Sequence, residues 1–284
     1  MNRSIFSDLY YKVFKSGNPL YLFLGINVFV FLLIQLVAVV GFLFTGSTAT
    51  SKWIMFQLSM PAYLPTLLYK FWTLITYMFG HDGVFHILFN MLWLYWLGRI
   101  FLDFLNKRQF IFTYLAGGLA GAALFIIAYN VFPVFLTALP VAVLIGSSAS
   151  VMAVVAATAT LLPDYTIRLL IFGDVRLKYL ALVYFILDLI GIAGSNPGGS
   201  IAHIGGAILG FLYIKQLRDG KDWSKMFRKK RKLTIVQKDN PMAKVSKLPD
   251  QEIIDQILDK ISKSGYDSLS SKEKEQLFKA SNKD

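Results

Sequence analysis

Three histidines, one serine and one asparagine carry the side chains in this sequence best suited to nucleophilic and acid–base chemistry. The histidines are His81, His86 and His203, and the chain has no cysteine, so thiolate chemistry and disulfides are excluded. A serine hydroxyl becomes a nucleophile only when a base within hydrogen-bond reach takes its proton. Ser148 with His203 as its base would provide this pair. His86 and Asn90 carry N–H donors of the kind that stabilise the oxyanion of acyl transfer.

Three histidines also raise the alternative of a catalytic metal site. Zinc proteases carry two histidines on one helix in an H-E-x-x-H motif, and structural zinc sites commonly combine histidine with cysteine. The chain contains neither H-E-x-x-H nor a pair of carboxylates beside its histidines. We therefore predict no metal ion and no other cofactor.

The elements that must position these side chains lie in a part of the chain that is poor in charge. Of the 284 residues, 55% are apolar. Residues 1–214 contain 17 charged side chains, whereas residues 215–284 contain 29. So few charges cannot maintain a water-facing surface, and several apolar runs exceed the roughly 18 residues of a membrane span. A single soluble domain is excluded, and the fold class predicted is an all-α polytopic membrane protein.

Six apolar stretches are suited to crossing a membrane. They are residues 19–44, 84–105, 109–130, 148–163, 178–195 and 200–217. The first is longer than the roughly 7–15 apolar residues of a signal peptide, so it is interpreted as a retained span. The predicted organisation is a cytosolic N-terminal segment (1–18), a six-helix membrane domain (19–217), a basic juxtamembrane linker (218–248) and a C-terminal helical hairpin (249–284).

Lysine and arginine are distributed unevenly among the connections between these spans. They occur in the N-terminal segment, in 99–108, in 164–178 and throughout the tail, whereas 131–147 and 195–200 contain none. The positive-inside rule therefore predicts that both termini are cytoplasmic. We expect the membrane to be a bacterial inner membrane. The first outer loop (45–83) is rich in aromatic residues and is predicted to lie in the outer interface.

In this topology the even-numbered spans run from the outside to the inside. His86 and Asn90, Ser148, and His203 then lie near the outer ends of spans two, four and six, so separate segments bring them to one depth. His86 and Asn90 share a helix face because they are four residues apart. Ser148 lies at a helix N-terminus, where free backbone N–H groups stabilise an anion.

Small residues on spans four and six predict that these two spans pack closely. Gly206 and Gly210 follow His203 at +3 and +7, on the same helix face, and span four is rich in alanine. Small faces allow two helices to approach closely in lipid. The glycines are therefore expected to bring Ser148 to His203, with no chemical role of their own.

Three motifs, in this order along the chain, resemble those of the rhomboid family of intramembrane serine proteases. They are His86-Ile-Leu-Phe-Asn90, Gly146-Ser147-Ser148-Ala149 and Ala202-His203-Ile-Gly-Gly206-Ala-Ile-Leu-Gly210. The resemblance covers about residues 20–217. It implies a Ser–His dyad with Ser148 as nucleophile and His203 as general base and acid, and it makes His86 and Asn90 oxyanion donors. The implied substrate is a transmembrane segment of a membrane protein, cut near its outer end without ATP or metal.

The chain departs from the family pattern at several positions. Many rhomboids have a glycine directly after the catalytic serine and an aromatic residue four positions after it, where this chain has Ala149 and Met152. Many also have Trp-Arg in the first loop, where this chain has Trp72-Thr73. None of these differences removes a reacting group.

Two further polar residues receive structural interpretations. His81 is expected to be solvated or to hydrogen-bond within a loop. Asp188, midway along span five, is a candidate to orient His203, as buried carboxylates do in catalytic triads. Because the family pattern is a dyad, we favour a structural or water-linked role for Asp188.

The basic tail predicts contacts at the membrane surface. Residues 215–232 contain nine lysines and arginines, and each cation near an anionic leaflet contributes roughly 1 kcal/mol, so anionic lipid is favoured over nucleic acid as a partner.

Residues 250–264 place apolar side chains on one helical stripe that stops at Gly265. Ser270-x-x-Glu273 then predicts a capping box that opens a second short helix. So small a hairpin buries little surface and is expected to need a protein partner or a second copy.

The sequence favours an intramembrane serine endopeptidase over two alternatives. A catalytically inert rhomboid-like scaffold that binds transmembrane client segments would typically lack the serine or the histidine, and this chain keeps both. A channel or secondary transporter would show inverted repeats, broken helices or intramembrane charge pairs, which the sequence lacks.

The predicted orientation can be tested by cysteine labelling, because the chain has no cysteine of its own. Cysteines introduced singly at Thr137 and Asn196 should react with a membrane-impermeant maleimide in intact cells. A cysteine at Lys283 should react only after lysis, because the charge asymmetry places the tail inside. Labelling at position 283 in intact cells would overturn the orientation.

Overall fold

In the computed structural model of the chain, which describes residues 4–169, 173–226 and 251–281, helices form most of the regular structure. The chain divides into two units, residues 1–228 and residues 229–284. Most of the basic linker predicted at 218–248 lies outside the described residues, as do the first three and last three residues of the chain.

The described part of the first unit contains ten α-helices and four short strands. The helices are α1 Ile5–Tyr10, α2 Pro19–Thr45, α3 Ala49–Leu58, α4 Leu64–Tyr69, α5 Thr73–Thr76, α6 Val84–Phe104, α7 Lys107–Val131, α8 Ser148–Leu161, α9 Leu177–Gly191 and α10 Pro197–Arg218. A π-helical turn covers Tyr11–Lys15, and 3₁₀ turns cover Tyr77–Phe79, Pro133–Phe135 and Trp223–Lys225. The strands form two antiparallel pairs, β1 Met60–Pro61 with β2 Val143–Leu144 and β3 Thr166–Leu169 with β4 Gly173–Arg176.

Six of these helices, α2 and α6 to α10, lie at the positions of the six predicted spans. Among the described residues, α2, α6, α7 and α10 are long and apolar enough to cross a membrane, and α8 is a shorter apolar helix. The prediction of an all-α polytopic membrane protein is therefore confirmed.

Asparagine marks the beginning of three of the long helices. Asn18, Asn106 and Asn196 each occupy the N-cap position, and each side chain accepts a backbone N–H of the first turn. These bonds satisfy donors that have no partner within the helix. Pro19 and Pro197 follow two of the caps, at the helix position where a missing N–H costs nothing.

Helix α8 is the central helix of the unit, and 10 of its 14 residues are buried. A helix of this length extends about 21 Å, which is less than the roughly 30 Å of a bilayer core. At least one end of α8 therefore lies within the depth of the membrane. Non-helical backbone is tolerated at that depth only where protein or a water-filled cavity encloses it.

Glycines allow α7, α8 and α10 to touch through their backbones. A Cβ added at Gly206 or at Gly210 of α10 would collide with the carbonyl oxygen of Ala149 or Ala153 of α8. A Cβ added at Gly121 of α7 would lie 2.6 Å from the carbonyl oxygen of α10 Ala202. The two glycines singled out in the sequence thus face α8 directly.

The loop between α2 and α6 is anchored by bonds from its second half to the end of α3. The donors and carbonyl acceptors are Lys70 to Phe56 (3.2 Å), Trp72 to Gln57 (3.0 Å) and Thr76 to Leu58 (3.1 Å). Thr73, where many rhomboids have arginine, is fully buried and donates its hydroxyl to the carbonyl of Lys70 at 2.6 Å. This loop is therefore held without an arginine at that position.

The second unit is a helical hairpin of α11 (Gln251–Ser264) and α12 (Ser271–Ser281), joined through a 3₁₀ turn at Tyr266–Ser268. Gly265, at φ +78°, ends the first helix as predicted. The predicted capping box is confirmed: the Glu273 carboxylate accepts the Ser270 N–H at 2.7 Å, and the Ser270 hydroxyl accepts the Glu273 N–H at 3.4 Å. Hydrogen bonds from Ser270 lower the pKa of Glu273 to about 2.

The contact between α8 and α10 predicts an unusual response to a small substitution. Alanine favours helix more than glycine does, yet Gly210→Ala should destabilise the protein by about 1–3 kcal/mol, because the added methyl collides with backbone of α8. Thermal unfolding of the detergent-purified protein measures the change. Gly83→Ser is the control, since a side chain at Gly83 meets nothing within 4 Å and serine is a good N-cap residue. An unfolding temperature that rises in Gly210→Ala would contradict the packing described here.

Candidate active site

A cavity of about 870 Å³ lies where the N-terminal turns of α6, α8 and α10 approach the C-terminal half of α9. Ser148, His203, His86 and Asn90 all line it. The structure therefore brings together, from three helices, the four residues that the sequence singled out. Most of the remaining lining is apolar and aromatic, which suits an apolar peptide segment.

A turn at Gly146 places Ser148 at the first position of α8. Gly146 has φ +123°, a conformation that side chains rarely adopt, and its N–H donates to the carbonyl of Tyr77 at 2.9 Å. A Cβ at Gly146 would lie 2.7 Å from Nε2 of His86 and 3.6 Å from the Ser148 hydroxyl. The approach of His86 to the start of α8 therefore requires glycine at this position.

His81 fixes the residue next to the candidate nucleophile. Its Nε2 lies 3.1 Å from the Ser147 hydroxyl, and its ring is buried. Burial, and then the neighbouring His86, lower the pKa of His81 to about 4, so its ring is neutral at pH 7. Because the Ser147 hydroxyl is engaged with His81, it does not cap α8. His81 is therefore structural, as expected, but it is buried, not solvated, and it bonds the N-cap residue of α8 and not a residue of its own loop.

His203 is held by a carboxylate from the preceding helix. Its Nδ1 lies 2.8 Å from Oδ1 of Asp188 on α9. A carboxylate only accepts hydrogen bonds, so Nδ1 carries the proton and donates it. The other ring nitrogen, Nε2, is then left with a lone pair that can take a proton. The role favoured for Asp188 was structural or water-linked; the structure replaces the water link with a direct hydrogen bond to His203, the contact considered as the alternative.

His86 has a carboxylate partner of its own. Its Nδ1 lies 2.6 Å from Oδ1 of Asp82, four residues earlier. By the same reasoning Nδ1 carries a proton. The other ring nitrogen, Nε2, faces Gly146. Nε2 donates a hydrogen bond only when it carries a proton as well. The bond to Asp82 thus holds the ring with Nε2 directed at the start of α8.

Asn90 uses one of its two side-chain N–H groups to bond its own helix. Its Nδ2 donates to the carbonyl of His86 at 2.9 Å, and the residue is buried against the cavity. An Asn amide nitrogen has two hydrogens, so the second remains available to a bound oxyanion. The bond to the helix fixes the direction in which that second hydrogen points.

Two contacts of the site were not anticipated from the sequence, and a third was considered but not favoured. Asp82 precedes His86 by four residues, a spacing at which two side chains at the start of a helix can pair. The sequence prediction did not include this pair. The bond between Ser147 and His81 joins residues 66 positions apart, for which the sequence gives no signal. Asp188 was recognised as a candidate partner of His203, but not favoured.

Taken together, these residues supply the parts required for acyl transfer. They are a hydroxyl at a helix N-terminus, an imidazole whose Nδ1 is held by a carboxylate, and the side chains of His86 and Asn90 in the same cavity. A cavity that reaches these groups also provides a place for the water that a hydrolytic step requires.

Comparisons with known proteins agree with the motifs. Residues 69–219, just over half of the chain, match the family model for the Rhomboid domain, and residues 244–283 match a family of unknown function, DUF6576. No curated protein matches the chain. The Rhomboid match contains all four candidate site residues and the α8–α10 contact that brings them together, and the chain is a multi-pass membrane protein of the rhomboid family.

Proposed function

We propose that this protein is an intramembrane serine endopeptidase that cleaves transmembrane segments of other membrane proteins. The proposal rests on one observation: Ser148, His203, His86 and Asn90 all line the same cavity. Rhomboid proteins act in general on transmembrane substrates, and inactive members of the family exist. A protease is favoured over an inactive family member because this chain keeps both a nucleophile and a base whose Nε2 can take a proton.

The proposed reaction begins with a proton transfer. As the Ser148 Oγ attacks the scissile carbonyl carbon, its proton passes to Nε2 of His203. The carbonyl oxygen becomes an oxyanion, stabilised by the Ser148 N–H, His86 and Asn90. His203 then gives its proton to the leaving amine, and the acyl chain stays on Ser148. A water molecule, activated by His203, releases the acyl chain as a carboxylic acid and restores the serine.

Position within the membrane favours a substrate that is itself a membrane span. Ser148 begins a helix too short to cross the bilayer, and the cavity beside it is largely apolar. A substrate helix must unwind locally before a peptide bond can enter such a site, and cleavage near its outer end requires the least unwinding. We further propose that both termini are cytoplasmic, that the basic juxtamembrane segment binds anionic lipid, and that a protein partner binds the C-terminal hairpin.

The rival proposal is an inert rhomboid-like scaffold that binds transmembrane client segments without cutting them. It uses the same cavity but needs neither a reactive hydroxyl nor a base. A serine-reactive fluorophosphonate distinguishes the two, because it labels only an activated serine. Labelling of the wild type that is lost in Ser148→Ala supports the protease, and absence of labelling in both supports the scaffold.

The nucleophile and base should act as one unit. Ser148→Ala and His203→Ala should each reduce cleavage of a transmembrane substrate to near background, and the double variant should be little worse. Ser150→Ala is the matched control, because Ser150 is buried against Gly118 of α7 and does not line the cavity. It should remain active. Substantial cleavage by Ser148→Ala would end the protease assignment.

The oxyanion donors should show a smaller loss that is independent of stability. Removing one preorganised donor typically costs about 10²–10³-fold in turnover, so Asn90→Ala and His86→Ala should lower kcat by this order with little change in KM. Kinetics and thermal unfolding of the same purified variants measure both effects.

Asn130 provides a matched control for Asn90. Its side chain donates to the carbonyl of Ile126, one turn earlier, in the same way as Asn90 bonds His86, but it lies outside the cavity. Asn130→Ala should lower the unfolding temperature without a specific loss in kcat. Unchanged turnover in both His86→Ala and Asn90→Ala would remove these residues from the site, and a loss that tracks stability would make them structural.

A further inference from the structure

We propose that Asp188 is a positioning residue that holds His203 in the tautomer required of a general base, so that the site works as a Ser–His–Asp unit. The inference rests on the proposed protease function. It also goes beyond the dyad implied by the sequence motifs, because the third residue comes from α9, a helix that carries none of those motifs.

The geometry of the pair carries the proposal. Oδ1 of Asp188 lies 2.8 Å from Nδ1 of His203, and the two side chains are 13% and 25% exposed. The contact joins two helices, so it fixes the ring against α9 and not only within α10. Because the carboxylate can only accept, it selects the Nδ1–H tautomer and leaves the Nε2 lone pair for the Ser148 proton.

The cost of a carboxylate at this place makes the contact informative. Asp188 lies in a helix whose neighbouring positions are apolar, such as Leu187 and Leu189, and a charged group within a membrane span is rare and expensive. Among the described residues, its second oxygen, Oδ2, is buried without a hydrogen-bond partner. The bond to His203 is therefore the interaction that offsets the burial of this side chain.

The same contact suits the reaction. When His203 takes the Ser148 proton at Nε2, the ring becomes an imidazolium, and the Asp188 carboxylate stabilises that charge while the Nδ1 proton stays in place. Met152, one turn after Ser148, also lines the cavity, but its thioether is a weak acceptor and cannot select a tautomer.

Kinetics of Asp188→Asn and Asp188→Ala test the proposal. Both should lower kcat by about 10²–10⁴-fold, the range attributed to general acid–base catalysis, and should slow fluorophosphonate labelling of Ser148, with little change in KM. Asp222→Asn is the matched control. Asp222 is a buried carboxylate that accepts bonds from Arg108, Tyr213 and Ser224, and it lies outside the cavity. Its variant should unfold at a lower temperature and keep its kcat.

Histidine ¹⁵N NMR supplies a readout that a merely structural role would not move. The chain has only three histidines, and His203→Ala assigns the ring in question. His203 should be the Nδ1–H tautomer in the wild type, and in Asp188→Ala it should shift toward a mixture with the Nε2–H form. The wild-type spectrum needs no variant of Asp188, so it decides even where those variants fail to fold.

Three results would overturn the proposal. They are an Nε2–H tautomer of His203 in the wild type, an unchanged kcat in both Asp188 variants, and a loss of kcat that only follows the unfolding temperature. Each leaves the protease assignment intact if Ser148→Ala and His203→Ala are inactive. Cleavage that persists in Ser148→Ala would instead reject the proposed function itself.

Discussion

The close approach of α8 and α10 is the constraint on which the rest of the site depends. Gly206 and Gly210 allow the backbone of α10 to touch the carbonyls of α8, and Gly121 of α7 closes the third side of the same contact. Because His203 precedes Gly206 on this face by less than one turn, the contact that packs the helices also brings the histidine into the cavity that Ser148 lines. Packing and chemistry are therefore specified by one surface, which leaves little freedom for larger side chains on it.

Two carboxylate–histidine pairs divide the work of the cavity. Asp188 holds Nδ1 of His203, and Asp82 holds Nδ1 of His86, at 2.8 and 2.6 Å. The two rings nevertheless suit different tasks. His203 lies in the more buried pair and its Nε2 lone pair suits a base, whereas His86 lies in the more exposed pair at the N-terminal end of α6, with its Nε2 toward Gly146.

Contacts from neighbouring elements compensate for the departures from the usual family pattern. Ala149 takes the place of a glycine, and its methyl is accommodated because α7 has a glycine opposite it, Gly121, whose added Cβ would lie 2.6 Å away. Thr73 takes the place of an arginine, and the loop between α2 and α6 is held instead by bonds to the carbonyls that end α3. Met152 offers no ring to stack on His203, and the Asp188 carboxylate restrains that histidine through a hydrogen bond. In each case a small change in one helix is matched by a contact from another.

The sequence by itself determined the class of the protein, the six helix positions, the caps of the C-terminal hairpin and the identity of the four candidate site residues. These properties follow from local composition and spacing, because apolar length, helix caps and motif order are written in neighbouring residues. Only the tertiary structure decided that Asp188 bonds His203 directly and that His81 bonds Ser147. Such bonds depend on how far one helix is rotated and shifted against another, to within a few tenths of an ångström. That geometry comes from the packing of the whole bundle and has no signature in the spacing of any single segment.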